Sequence, residues 1–351
     1  MGEDMEVRIY DENFNLKKII ENHISLLWKK RYNDIGEFTL VCPATDDNIK
    51  NTVLNRIVWV KGKKEAGVIE SRTLEQNNTQ NTITLKGRFL ESYMDRRLIR
   101  PTLNYSGTIE LAMRKILTDA VAIPMVQLGE LHGYTDTIEF QATYKNLLEY
   151  EKKLAKTANY GFRFVPDFTN KTITFEIYKG LDHSIHQSDR PRVIFSEDYA
   201  NMTSSHYEEN NQLYETVCYV GGEGDWQDKE IVVSGDNTLT GLARREMYHD
   251  GSDLTSNGLT MDQYRAALAQ RGNDVLEGCV LAKSFSCETN PNGNFKYGSS
   301  YDVGDIVTIE KTQWGVSEDQ RITEITEIYE HDIPTIEPVF GTPLPETISW
   351  D

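Results

Sequence analysis

No stretch of this chain approaches the roughly 18 apolar residues of a membrane span. The start, Met1-Gly2-Glu3-Asp4, is acidic where a secretory signal carries a basic and then an apolar segment. The expectation is a soluble protein made in the cytoplasm. Cysteine is scarce: Cys42, Cys218, Cys279 and Cys287 form no CxxC pair and have no histidine at zinc spacing, so buried free thiols are expected instead of a metal site or disulfides. Cations are outnumbered, with 37 Lys and Arg against 55 Asp and Glu and a net charge of −18. Gripping nucleic acid requires clustered cations that displace counterions, so this balance argues against a phosphate-binding surface. Acidity suits a pore that lets nucleic acid pass without holding it, or serves solubility alone.

Catalytic signatures are missing too. There is no Gly-x-Ser-x-Gly elbow and no cysteine in an activated setting. Gly221-Gly222-Glu223-Gly224-Asp225 follows a strand pattern but leads into another, carries acids, and lacks the lysine of a phosphate-cradling loop, so a sharp solvated turn is the expectation. Asp250, Ser252, Asp253 and Asn257 offer oxygen ligands, but their spacing misses the calcium-loop pattern. His183 and His186 stand three apart in a polar connector with no third ligand evident. Abundant acids leave a carboxylate pair for glycan cleavage open, since spatial pairing cannot be read from sequence. The reading assigns no catalytic residue, no cofactor site and no metal site, and expects no cofactor.

What the chain does contain is strand pattern. At 351 residues with 38% apolar content it suggests about two to four domains with small interiors, and 18 Tyr and 12 Phe suit strand-rich, interface-rich proteins. Short alternating runs at Met5–Tyr10, Ile24–Trp28, Glu37–Val41, Ile57–Val60, Gly67–Leu74 and Thr82–Arg88 predict a small barrel or sandwich, with one or two helical turns near Asp46–Leu54. After residue 95 the period changes. Ile109, Ala112, Met113, Ile116, Leu117 and Ala120 predict an amphipathic helix, a second helix is expected over Lys145–Ala158, and strands at Phe162–Val165 and Thr172–Tyr178 complete a separate α+β module. Strand character resumes at Arg192–Phe195, Leu213–Val220, Lys229–Ser234 and Cys279–Cys287. Thr260-Met261-Asp262-Gln263 is a capping box opening a helix to about Glu277. The end, with Pro334, Pro338, Pro343 and Pro345, reads as an extended peripheral tail.

Two segments about 250 positions apart read as the same hairpin. Arg56-Ile57-Val58-Trp59-Val60 is followed after a polar link by Gly67–Leu74, and Asp305-Ile306-Val307-Thr308-Ile309 by Arg321–Thr326. Each has an Ile-Val entry, alternation, and a polar second strand. Duplication and coincidence both account for the pair.

Several phrases in a fixed order carry a resemblance. They are Ile35-Gly36-Glu37-Phe38-Thr39-Leu40, Gly67-Val68-Ile69-Glu70, Lys86-Gly87-Arg88-Phe89-Leu90 with Asp95-Arg96-Arg97, Ser106-Gly107-Thr108, Tyr160-Gly161-Phe162, Val220-Gly221-Gly222-Glu223-Gly224 with Arg244-Arg245-Glu246, Tyr301-Asp302-Val303-Gly304-Asp305-Ile306-Val307, and Arg321–Glu327. Over roughly residues 5–330 the chain resembles the tail-hub proteins of tailed phages and prophages of Gram-positive bacteria, which belong with baseplate hubs and type VI spike hubs. The resemblance implies a strand-rich α+β fold with two tube-like antiparallel β-barrels and α+β insertions. The expected divisions are residues 1–97 for the first barrel, 98–189 for an α+β insertion, 190–243 with 278–335 for the second barrel, 244–277 for a helical insertion and 336–351 for the tail. It also implies a non-enzymatic homotrimer at the tail tip, forming a pseudo-sixfold ring around a DNA channel. Its partners would be a distal tail or tail-tube protein and a tip, spike or lytic protein. Gly36, Gly87, Gly221, Gly222 and Gly304 would map onto turns. The alternatives are a tail-associated cell-wall or glycan hydrolase and a host-surface binding module.

Overall fold

The structure, a computed structural model, describes residues 5–77, 81–120, 123–330 and 334–341. It is strand-rich α+β. Contacts divide the chain into one unit running to His206 and from Phe285 to Gly341, and a second formed by Tyr207–Ser284.

The first unit begins with β1 (Val7–Tyr10), β2 (Leu16–Ile20), β3 (Ser25–Arg31), β4 (Glu37–Pro43), α1 (Asp46–Asn51), β5 (Ile57–Val60), β6 (Ala66–Val68), β7 (Ser71–Gln76) and β8 (Asn81–Arg88). These split into two layers. One sheet has the order β2-β1-β5-β6, and the other contains β3-β4-β8-β7. Alternation on β3 and β4 sends Leu26, Trp28, Phe38 and Leu40 inward, where they meet Val7, Ile9, Val58 and Val60. The rings of Trp28 and Phe89 lie 4.6 Å apart. The second strand of the first hairpin passes from layer to layer. β6 pairs with β5, whereas β7, two residues on, pairs with β8. Gly87 makes that corner possible, because a Cβ there would lie 1.7 Å from Val68 O.

β9 (Leu103–Thr108), α2 (Ile109–Ala120), β10 (Val126–Leu128), β11 (Thr137–Ala142), α3 (Leu147–Ala158), β12 (Gly161–Asp167) and β13 (Thr172–Tyr178) follow. Both helices lie where their stripes predict. Ile109, Ala112, Met113 and Ile116 are buried on α2, and α3 starts where the Asn146 side chain accepts from Glu149 N and stops at left-handed Asn159. The expected separateness of this segment is corrected. Its core includes Tyr10, Ile57, Ala66 and Val68 from the β2-β1-β5-β6 sheet and Phe14 from the β1–β2 link, so that sheet is covered on both faces. That is why Ile57-Val58-Trp59-Val60 is apolar at every position.

β14 (Ile194–Ser196) and β15 (Met202–Asn210) lead toward the second unit. There β16 (Val217–Gly221), β17 (Ile231–Gly235) and β18 (Glu246–Asp250) form a sheet of order β17-β16-β18, with α4 (Met261–Leu276) packed on Cys218 and Val220 through Tyr264 and Leu268. The capping box at Thr260 and Gln263 is present. The strands expected at Leu213–Val220 and Lys229–Ser234 therefore pair with β18 beneath α4, and do not join the hairpin at 305–326.

β19 (Ala282–Thr289), β20 (Ile306–Lys311), β21 (Val316–Tyr329) and β22 (Thr335–Gly341) complete the chain's large sheet. The segment expected to begin a peripheral tail is instead an interior strand. β22 lies between β21 and β19, with Pro338 buried and Phe340 fully so. Proline is uncommon in an interior strand because it cannot donate to the ladder; here Pro338 and Phe340 alternate onto the buried face, where Phe340 meets Phe195 and Phe285. Residues 342–351, with Pro343 and Pro345, lie outside the described residues.

The path through this sheet is β15-β19-β22-β21-β3-β4-β8-β7. Cut in the middle, it is one four-strand order written twice: β3-β4-β8-β7 and β15-β19-β22-β21. The duplicated hairpins occupy matching places. β5 pairs with β6, whose continuation β7 pairs with β8; β20 pairs with the first half of β21, whose second half pairs with β22. No sheet among the described residues closes on itself. Of the five glycines expected in turns, only Gly304 has the left-handed backbone of one, at φ +96. Gly36, Gly87, Gly221 and Gly222 stand where a Cβ would collide with neighbouring atoms.

Candidate assembly interface

The two repeats meet at β21 and β3, which pair antiparallel from Glu324↔Arg31 to Tyr329↔Leu26. On the face turned away from the cores, Arg31 reaches Glu37 at 2.9 Å and Glu324 at 3.4 Å, and Lys29 reaches the same acids at 3.4 and 3.8 Å. Burial alone would lower the Arg31 guanidinium, but Glu324 and Glu37 hold it above its ordinary value. Burial would raise the Glu37 carboxyl, and Arg31 holds it below. The pairing of two cations with two acids leaves this joint nearly neutral.

Behind the joint lies a second charged cluster. Lys30 is 3.5 Å from Glu65 and 4.0 Å from Asp302, while Arg163 is 3.9 Å from Glu65, 2.7 Å from Glu176, and stacked over Tyr178 at 4.5 Å. Lys63 pairs with Glu327 and donates to Tyr329 Oη at 2.9 Å. Glu65 and Lys63 sit on the β5–β6 link, so the cluster ties the first hairpin to β3, β12 and β21. Glu65 is 4% exposed, and removing it leaves two half-buried cations without their shared carboxylate. Glu65→Ala is expected to lower unfolding free energy by about 3 kcal/mol, read as a urea midpoint shift at constant slope. An unchanged midpoint would contradict the clamp.

The residues weighed as ligands on sequence grounds are distributed among separate structural duties. His183 Nδ1 bonds Pro191 O at 2.8 Å, whereas His186 Nδ1 meets Asp319 at 2.5 Å. Asp319 also accepts from Thr308 Oγ1 at 2.6 Å, so the histidine is not placed to activate that hydroxyl. Asp250 Oδ1 accepts from Ser252 N, while Asp253 pairs with Arg271. In the glycine-rich loop, Gly222 N donates to Glu230 O and Glu223 accepts from Ser256 N and Oγ, which closes a turn. No group of three or more His, Cys, Asp or Glu able to hold a metal occurs among the described residues. The joint itself escaped sequence reasoning, although the opposite charges of Lys29-Lys30-Arg31 and of Glu324 and Glu327 were a readable signal.

The family described as siphovirus ReqiPepy6 Gp37-like protein matches residues 6–342. The chain belongs to that family. Its fold is that of phage tail proteins. A tail protein from Neisseria meningitidis MC58 superposes with a TM-score of 0.60 at 14% identity, covering 97% of each chain. The 43 kDa tail protein of prophage MuSo2 from Shewanella oneidensis gives 0.56 at 12% identity, covering 96% of this chain and 98% of its own. Prophage tail protein gp18 from Listeria monocytogenes EGD-e gives 0.54 at 12%, covering 96% and 94%. No curated protein matches this Gp37-like chain.

Proposed function

We propose that this Gp37-like chain is a structural tail hub without enzymatic activity. Three copies ring the tip of the tail tube, present six four-strand repeats to a sixfold tube, and join it to distal tip or spike components. The observation that carries this reading is the doubled strand order, since a protein with two equivalent units per chain can match six neighbours with three copies. The family and the shared tail-protein fold agree with it. The mechanism is geometric: strand edges pair between copies, and the sheet face turned away from the cores lines the passage.

That face suits nucleic acid that must slide. Lys29 and Arg31 are neutralised by Glu37 and Glu324, and Arg88 by Glu70 at 2.8 Å and Asp95 at 3.0 Å. Cations already paired with carboxylates have little to offer a phosphate backbone. A virion tail-tip location follows from this reading. Electron cryo-microscopy of assembled tails is expected to show three copies around the channel, with Lys29, Thr39 and Glu337 facing the lumen. A single copy hanging from the periphery, or a basic lumen, would overturn the reading.

A further inference from the structure

The second unit, Tyr207–Ser284, has a small interior. Its buried cluster consists of Cys218, Val220, Leu254, Tyr264 and Leu268. Units of this length with so few buried side chains are ordinarily reinforced by a disulfide or a metal ion. Three sulfur-bearing side chains, from β16, β18 and the end of α4, converge beside this cluster.

Cys218 and Met247 stand side by side in the parallel ladder of β16 and β18. Both turn toward α4, where Cys218 is fully buried and Met247 packs against the cluster. Cys279 arrives from the far end of the helix. Its N–H donates to Leu276 O at 2.9 Å, and its carbonyl accepts from Glu215 N at 3.0 Å, which ties it to the chain entering β16. That placement brings Cys279 Sγ to 3.8 Å from Met247 Sδ. Burial and then Cys279 push the Cys218 thiol up, so the two thiols sense each other's charge. We propose that Cys218, Met247 and Cys279 form a site for one soft monovalent cation, copper(I), which ties the end of α4 to β16 and β18.

The spacing fits a shared ion. Two sulfurs bound at about 2.3 Å to one metal stand roughly 3.8–4.0 Å apart at tetrahedral or trigonal angles, and Cys279 and Met247 are at 3.8 Å. The donors select the metal. Thiolate and thioether sulfur together favour copper(I). Structural zinc takes four ligands from thiolates, imidazoles and carboxylates, and the described residues hold no group of three or more His, Cys, Asp or Glu that could supply them. A disulfide between the two cysteines would leave the Met247 sulfur without a part. Cys279 is half-buried between exposed Gly278 and Val280, so an ion can enter from solvent. Burial and then Glu215 push the Cys279 thiol up as well. Both thiols therefore stay protonated until the ion displaces two protons into solvent. The site is independent of the hub reading and stands or falls apart from it.

Titration of the reduced full chain with copper(I), without oxygen and against a coloured copper(I) chelator, tests the site. One ion per chain is expected, with an affinity that falls about a hundredfold for each unit by which pH is lowered, because two protons return. X-ray absorption is expected to show three sulfurs at about 2.3 Å. Cys279→Ser, a change at a half-buried position, is expected to abolish tight binding. Met247→Leu, which keeps the volume, is expected to weaken it at least tenfold and leave two sulfurs. Cys42 and Cys287 lie buried in the first unit, so an ion held there would survive Cys279→Ser. Bound copper(I) is also expected to slow proteolysis within 207–284 at least tenfold while cleavage in the first unit is unchanged. The site is overturned by a wild-type chain that binds no ion or shows only two sulfurs, by undiminished binding in Cys279→Ser, or by three sulfurs remaining in Met247→Leu.

Discussion

Replacing Glu151 with leucine is expected to stabilise the chain more at pH 7 than at pH 4, and so to flatten the dependence of its stability on pH. Glu151 lies on α3 with Leu147, Leu148, Leu154 and Ala155, fully buried, and neither carboxyl oxygen has a hydrogen-bond partner. Burial pushes its carboxyl well above the ordinary 4.5. The folded chain holds the Glu151 proton to higher pH than the unfolded chain, which ionises near 4.5. Stability is therefore whole below that pH and falls as pH rises toward the folded value, by about 1.4 kcal/mol per unit. Leucine removes this slope and leaves no orphaned polar atom. Glu91 adds a second slope. Burial pushes it up to about 8, even though Phe164 N donates to its Oε1 at 2.7 Å. Glu91→Gln keeps an acceptor for that amide and removes the titration. Urea midpoints between pH 4 and 8 check both changes, and a Glu151→Leu chain that retains the wild-type slope would refute the account.

The second large effect is a loss. Gly87→Ala is expected to destabilise by on the order of 3 kcal/mol, because the obstructing atom at 1.7 Å is the Val68 carbonyl, which no rotamer change can clear. Gly62→Ala is the comparison. Its backbone is left-handed at φ +88 with nothing within 4 Å of the added carbon, so it costs only the conformational strain, about 1 kcal/mol. Chemical denaturation of the two variants should separate them clearly. Equal costs would show that the β6–β8 corner is not held by close approach.

Where burial is one-sided, the sequence displayed it. β3, β4 and β8 alternate because one face meets the core, and α2, α3 and α4 show stripes or caps written within a few residues. β15 and β22 were invisible for opposite reasons. Met202–Asn210 is an edge strand with polar residues on both faces, so it has no apolar period. Thr335–Gly341 has one, but Pro338 marks it as tail. Without these two strands the second repeat could not be assembled correctly, and the strands at 217–235 took their place. The buried carboxyls were unreadable as such, because a glutamate on a helix is ordinarily a solvated one.

The sequence by itself determined the strand-rich class, the two kindred hairpins, the places of α1 to α4 and the tail-hub resemblance, because each depends on local periodicity or on short phrases in order. Only the tertiary structure decided which strands complete the second repeat, that both repeats share one sheet, and that their joint is charge-paired. Those depend on pairings between residues nearly 300 positions apart, where hydrogen bonding and shared cores choose among strands that look alike in isolation.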